Sequence, residues 1–173
     1  MINKTTKRIA LLGVVSAFAA ILSYIEAIIS FGFFIPGFKL GLANIAVVII
    51  LYIYGYKDAF FVNIVRIIVV GLLFANMFSI TFSIAGAIIS YITMIAVKKI
   101  DIFSPVGVSI VGGVAHNVGQ IIIAMFIIES YSVIHYLPIL MIAGIICGFI
   151  VGMISMIVIK YFKVILRKRD ISI

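Results

Sequence analysis

LPILMIAGIICGFIVGMISMIVI, residues 137–159, runs for 23 positions without a charged side chain. A helix that crosses the hydrocarbon of a bilayer needs about 20 mainly apolar residues, so this stretch predicts a transmembrane helix. Gly144, Gly148 and Gly152 recur in it at intervals of four, with Ser155 nearly in line. In lipid, helices gain little by burying apolar surface against one another, and small residues at this spacing let two backbones approach closely. The ridge therefore predicts a tight helix–helix contact, either inside the chain or against another subunit.

The rest of the chain resembles this stretch in composition. Of 173 residues 66% are hydrophobic and 10% charged, and the mean hydropathy is +1.43, too apolar for a soluble domain of this length. Windows of about 19 residues place further spans near residues 9–31, 40–56, 59–77, 79–97 and 106–128. Six spans and short connections fill the chain, so residues 1–173 are expected to form a single integral membrane domain, an all-α polytopic bundle. The first span follows Lys4, Lys7 and Arg8 as a secretory signal would, but its apolar run continues past Ala17-Phe18-Ala19, and it is expected to be retained. The division near Asn76 and Ser79 carries no charge, which leaves a five-span reading open.

Orientation follows from the basic residues. With six spans and an inner N-terminus, eleven of the thirteen fall on the inner side: Lys4, Lys7, Arg8, Lys57, Lys98, Lys99, Lys160, Lys163, Arg167, Lys168 and Arg169. Lys39 falls outside and Arg66 within a span. This asymmetry predicts cytoplasmic N- and C-termini under the positive-inside rule, in a multi-pass protein of the cell membrane. The net charge of +8 is accounted for in the same way, and nucleic acid is not an expected partner. Cys147, the single cysteine, lies in an apolar run and is expected to be a small core residue; neither a disulfide nor a cysteine metal cluster can form within the chain.

Polar side chains inside apolar spans are candidate functional residues, because each costs a few kcal/mol or more unless it is satisfied. His116, Asn117 and Gln120 share one broad face of the fifth span beside Gly112, Gly113 and Gly119. They are expected to bind a small molecule, the alternative being that they bond only to neighbouring helices. Asn63 and Arg66 lie three apart on the third span. A guanidinium there needs a carboxylate, carbonyls or an anionic ligand, or it must reach toward the inner surface. Glu26, Lys39 and Asn44 complete the candidate set near the outer ends of the first two spans, with an interfacial Glu26–Lys39 pair as the alternative. Between them, Phe31 to Asn44 is apolar but broken by Pro36, Gly32, Gly37 and Gly41, and reads as a hinged outer cover.

Other chemistry is absent from the sequence. It has no glycine-rich phosphate loop, no paired-histidine metal motif and no nucleophile with a base partner. Asp58, Asp101 and Asp170 are isolated, so no acidic cluster exists to hold magnesium. No catalytic residues, metal site or cofactor are expected.

Three segments carry a family resemblance: Pro36-Gly37-Phe38-Lys39-Leu40-Gly41-Leu42-Ala43-Asn44; Tyr54-Gly55-Tyr56-Lys57-Asp58-Ala59 leading to Arg66; and Ser104-Pro105-Val106-Gly107-Val108-Ser109 leading to Ala115-His116-Asn117-Val118-Gly119-Gln120. Through them the chain resembles, over nearly its whole length, the bacterial membrane family labelled either Gx transporter or heptaprenyl diphosphate synthase component I. Its six spans and cytoplasmic ends are also similar, in architecture alone, to the substrate-binding subunits of energy-coupling factor transporters. The first label implies a binding or translocating subunit for a small, anionic or isoprenoid-linked molecule, working with a partner ATPase and a membrane coupling subunit or with an ion gradient. The second implies a non-catalytic accessory partner of a prenyl synthase subunit in heptaprenyl diphosphate or quinone synthesis, since the aspartate-rich motifs of such synthases are missing. A scaffold for a membrane redox complex is the third reading.

Overall fold

The computed structural model describes residues 4–30, 41–74 and 77–168. Six α-helices follow in order: α1 Lys4–Ser30, α2 Asn44–Ile53, α3 Tyr56–Phe74, α4 Met77–Lys99, α5 Pro105–Ile128 and α6 Leu137–Lys168, with a 3-10 segment Tyr131–Tyr136 leading into α6. No strand occurs among the described residues. Among the described residues four helices are long and apolar enough to cross a membrane, α1, α4, α5 and α6; α3, expected as a span near 59–77, is not one of them, its 19 residues including Lys57, Asp58 and Arg66. Large apolar side chains such as Phe18, Leu72, Phe126 and Phe149 stand exposed around the bundle, the arrangement expected where lipid rather than water is the outer solvent.

Local sequence explains several boundaries. Ser104 caps α5, its hydroxyl oxygen accepting from the Gly107 amide, and Pro105 occupies the first turn, where its missing N–H costs nothing. The turn from α2 to α3 runs through Gly55 at φ +96°, a conformation that a side chain would strain. The third and fourth apolar segments form separate helices, ending at Phe74 and starting at Met77; Asn76 lies outside the described residues.

The second element differs from the sequence expectation. Instead of spanning 40–56, α2 is ten residues long, about 15 Å at 1.5 Å per residue and half the hydrocarbon thickness. It is also the most buried helix: Ala46, Val47, Val48, Ile50 and Leu51 are fully enclosed. It rises from the Gly55 turn and packs against α1, α3, α5 and α6, so its N-terminus at Asn44 stops near the middle of the bundle. Among the described helices α1 touches only α2 and α3, while α5 is held broadly between α4 and α6.

The glycine ridge of α6 packs on α5, inside the chain. A Cβ added at Gly148 would lie 2.7 Å from the Cα of Ile110, and one at Gly152 would lie 2.6 Å from the Cα of Val106. At Gly113, facing them from α5, it would lie 2.6 Å from the Gly144 carbonyl oxygen. The opposite face of α5 also packs closely on α4, where a Cβ at Gly119 would lie 3.0 Å from the Cα of Gly86. By contrast Gly13 of α1 has nothing within 4 Å.

One end of the bundle collects basic side chains. Arg8 of α1 donates through Nε (3.0 Å) and Nη2 (2.6 Å) to Oδ2 of Asp58 in α3. Lys98 of α4 donates to the Leu51 carbonyl at the end of α2, where a cation complements the helix dipole, and its charge interacts with that of Lys163 in α6. This is the end that the positive-inside rule assigns to the cytoplasm.

Candidate ligand-binding site

Arg66 points inward and is buried. Its Nε donates to Oδ1 of Asn63 one turn earlier (3.0 Å), Nη2 to Oδ1 of Asn44 at the start of α2 (2.9 Å), and Nη1 to Oγ of Ser23 on α1 (3.3 Å). The guanidinium thus ties three helices through neutral acceptors. Glu26 supplies the opposing charge: it acts electrostatically on Arg66, and its Oε1 accepts the Gly41 amide at 2.6 Å. Gly41 sits at φ +73°, a left-handed conformation that a side chain would strain. A buried guanidinium without these partners would be strongly destabilising.

Beside this cluster lies a small cavity of about 20 Å³, room for roughly one water. Asn44 lines it from α2, Ser109 and Asn117 from α5, and Cys147 from α6, with glycine backbone forming much of the remaining wall. Asn44 therefore belongs to both features, accepting from Arg66 through its oxygen and lining the cavity. Asn117 donates from Nδ2 to the carbonyl of Leu140 in the first turn of α6, at 2.5 Å. Ser109, Gly113 and Asn117 follow at intervals of four, and at about 100° per residue they form one stripe facing α6.

The structure separates residues that the sequence grouped. Asn117 lines the cavity, whereas His116, about 100° round the helix, packs against Gly86 of α4, where an added Cβ would lie 2.8 Å from the imidazole Cε1. Gln120 is buried and does not line the cavity; its Oε1 has no hydrogen-bond partner among the described residues. Asn63, Arg66, Glu26 and Asn44 come together as one cluster. Lys39, with the cover segment 31–40, lies outside the described residues. Ser23, Ser109 and Cys147 were not among the candidates. Ser109 was detectable, standing four before Gly113 and eight before Asn117, but nothing in the sequence singles out Ser23. No group of three metal-ligating side chains occurs among the described residues.

A polytopic helical bundle with a charge-compensated cluster and a polar cavity between its helices defines the class: a multi-pass membrane protein. The chain belongs to the family described as heptaprenyl diphosphate synthase component I, whose model matches residues 15–158, from within α1 to within α6. No curated protein and no solved structure matches it.

Proposed function

We propose that this chain is a membrane-embedded binding subunit that receives a small polar molecule for transport across the cell membrane. One observation carries the reading: Asn44, Ser109 and Asn117 bring hydrogen-bonding groups from two helices to a cavity walled by glycine backbone. A purely structural polar cluster would be expected to close on itself, as Arg66 does with its neighbours. The half-length α2, which ends beside the cavity, supports the same reading, since transport proteins commonly bind substrate where a helix is broken near mid-membrane. As the cavity holds only about one water, a ligand larger than the group it grips requires α2 to move from α6. The sequence has no phosphate-binding loop, so energy comes from a partner ATPase acting through a membrane coupling subunit, or from an ion gradient.

The family's description favours a second reading, a non-catalytic accessory subunit of heptaprenyl diphosphate synthesis. Gentle extraction of the tagged protein from its native membrane tests the two. Copurification of an ATPase with a second membrane subunit supports transport; copurification of a soluble prenyl synthase subunit supports the accessory role and displaces the first proposal.

A further inference from the structure

Resting on the binding-site reading above, we infer that the cavity recognises a neutral amide-type group, one carbonyl beside one N–H, rather than a carboxylate or phosphate. Two side-chain amides are held in fixed orientations beside the cavity. Oxygen and nitrogen of an asparagine are told apart by their partners. Asn44 must turn its oxygen to Arg66, because a guanidinium only donates. Asn117 must turn its nitrogen to Leu140, because a carbonyl only accepts. The two assignments leave Nδ2 of Asn44 and Oδ1 of Asn117 outside the hydrogen bonds of the described residues, one donor and one acceptor on two residues that line the same cavity.

Burial makes this pair consequential. Asn117 is buried and Asn44 half-buried, and a polar group shielded from bulk water forfeits up to one hydrogen bond when nothing meets it. An amide, lactam or urea edge satisfies both, its carbonyl accepting from Asn44 and its N–H donating to Asn117. A carboxylate has two acceptor oxygens and would set one of them against Oδ1 of Asn117. The Ser109 hydroxyl donates or accepts and so is compatible with either group.

Charge points the same way. No charged side chain among the described residues lines the cavity. The cation nearest to it through the hydrogen-bond network, Arg66, spends its bonds on Asn63, Asn44 and Ser23 and has Glu26 as its counter-charge. An anion would therefore enter a low-dielectric recess without a compensating charge, an expensive transfer.

Cys147 lines the same cavity and is the only cysteine, so it reports on what enters. Iodoacetamide and iodoacetate alkylate a thiolate by the same displacement of iodide and differ in carrying an amide or a carboxylate. The protein in lipid nanodiscs is treated with each reagent, and Cys147 labelling is followed by intact-mass spectrometry beside N-acetylcysteine in the same buffer. The expected result is a preference for iodoacetamide at Cys147 at least roughly ten-fold above that of the free thiol. In Asn117→Ala and Asn117→Val, which remove the acceptor while leaving less or similar bulk, that preference falls about five-fold, the equivalent of one hydrogen bond. The ratio is read rather than the rate, because either replacement also changes access. Equal labelling by the two reagents, or a preference unchanged in both variants, overturns the amide assignment and leaves the cavity an accessible site. Failure of both reagents to reach Cys147 in folded protein overturns the binding-site reading as well.

Discussion

Nη2 of Arg66 donates to Oδ1 of Asn44 at 2.9 Å, joining the middle of α3 to the first residue of α2. This bond fixes the orientation of the Asn44 amide and so decides what Asn44 offers the neighbouring cavity. It also sets how the two residues should respond to substitution.

Replacing Arg66 by Leu removes a cation that acts on buried Glu26 and the donor that Asn63, Asn44 and Ser23 share, a loss of about 3 kcal/mol for hydrogen bonds made by a charged group. Arg66→Lys keeps the charge but cannot reach Asn63, Asn44 and Ser23 at once with one ammonium, so an intermediate loss is expected. Thermal unfolding in detergent should rank wild type above Lys above Leu. Equal stability of the three would show that the cluster does not organise these helices.

The Arg8–Asp58 pair should behave differently. The Arg8 side chain is 51% exposed, so its bond to Asp58 is screened despite the short distance. Asp58→Asn should cost about 1 kcal/mol or less, and high salt should diminish even that. A loss as large as that of Arg66→Leu, insensitive to salt, would contradict the placement of this pair at the membrane surface.

Gly148→Leu should be strongly damaging. Its Cβ alone would stand 2.7 Å from the Ile110 Cα, and backbone cannot give way as a side-chain tip does. A loss of about 3 kcal/mol, the upper end of ordinary overpacking, is expected, with Gly13→Leu as the contrast because nothing lies within 4 Å of that position. Detergent stability measured for both checks the difference; similar stability would mean that α5 and α6 do not touch along this ridge.

Helix number and the glycine ridge of α6 as a close packing face were legible in the sequence, because apolar length and small-residue spacing act locally along one helix; that α5 is the partner was not. The length of α2 was not. A hydropathy window counts Leu40 to Tyr56 as one apolar run, whereas Gly55 turns the chain and the helix starts only at Asn44. The polar face of α5 was half legible: density picked out residues 116 to 120, but which side of α5 meets α6 depends on Gly113 and Gly148 packing together, a long-range fact. Arg66 was recognisable as costly, and the need for a carboxylate or other acceptors was foreseen. Its bond to Ser23, 43 residues away, could be seen only in three dimensions.

Topology has its own test. In a Cys147→Ser background, a cysteine at exposed Ser132 should react with an impermeant maleimide only from outside the cell, and one at Ile102, 82% exposed between α4 and α5, only from inside. Labelling of both from one side would contradict a six-helix path with both ends in the cytoplasm.

The most direct test of the central claim, that the cavity between α2, α5 and α6 holds a small molecule, is native mass spectrometry of the gently extracted protein and of Asn117→Ala. The account predicts a copurified small molecule on the parent and reduced occupancy in a variant of comparable stability, by about five-fold for one lost hydrogen bond. The same molecule at undiminished occupancy in an equally stable variant, or no bound molecule on the parent, would contradict it.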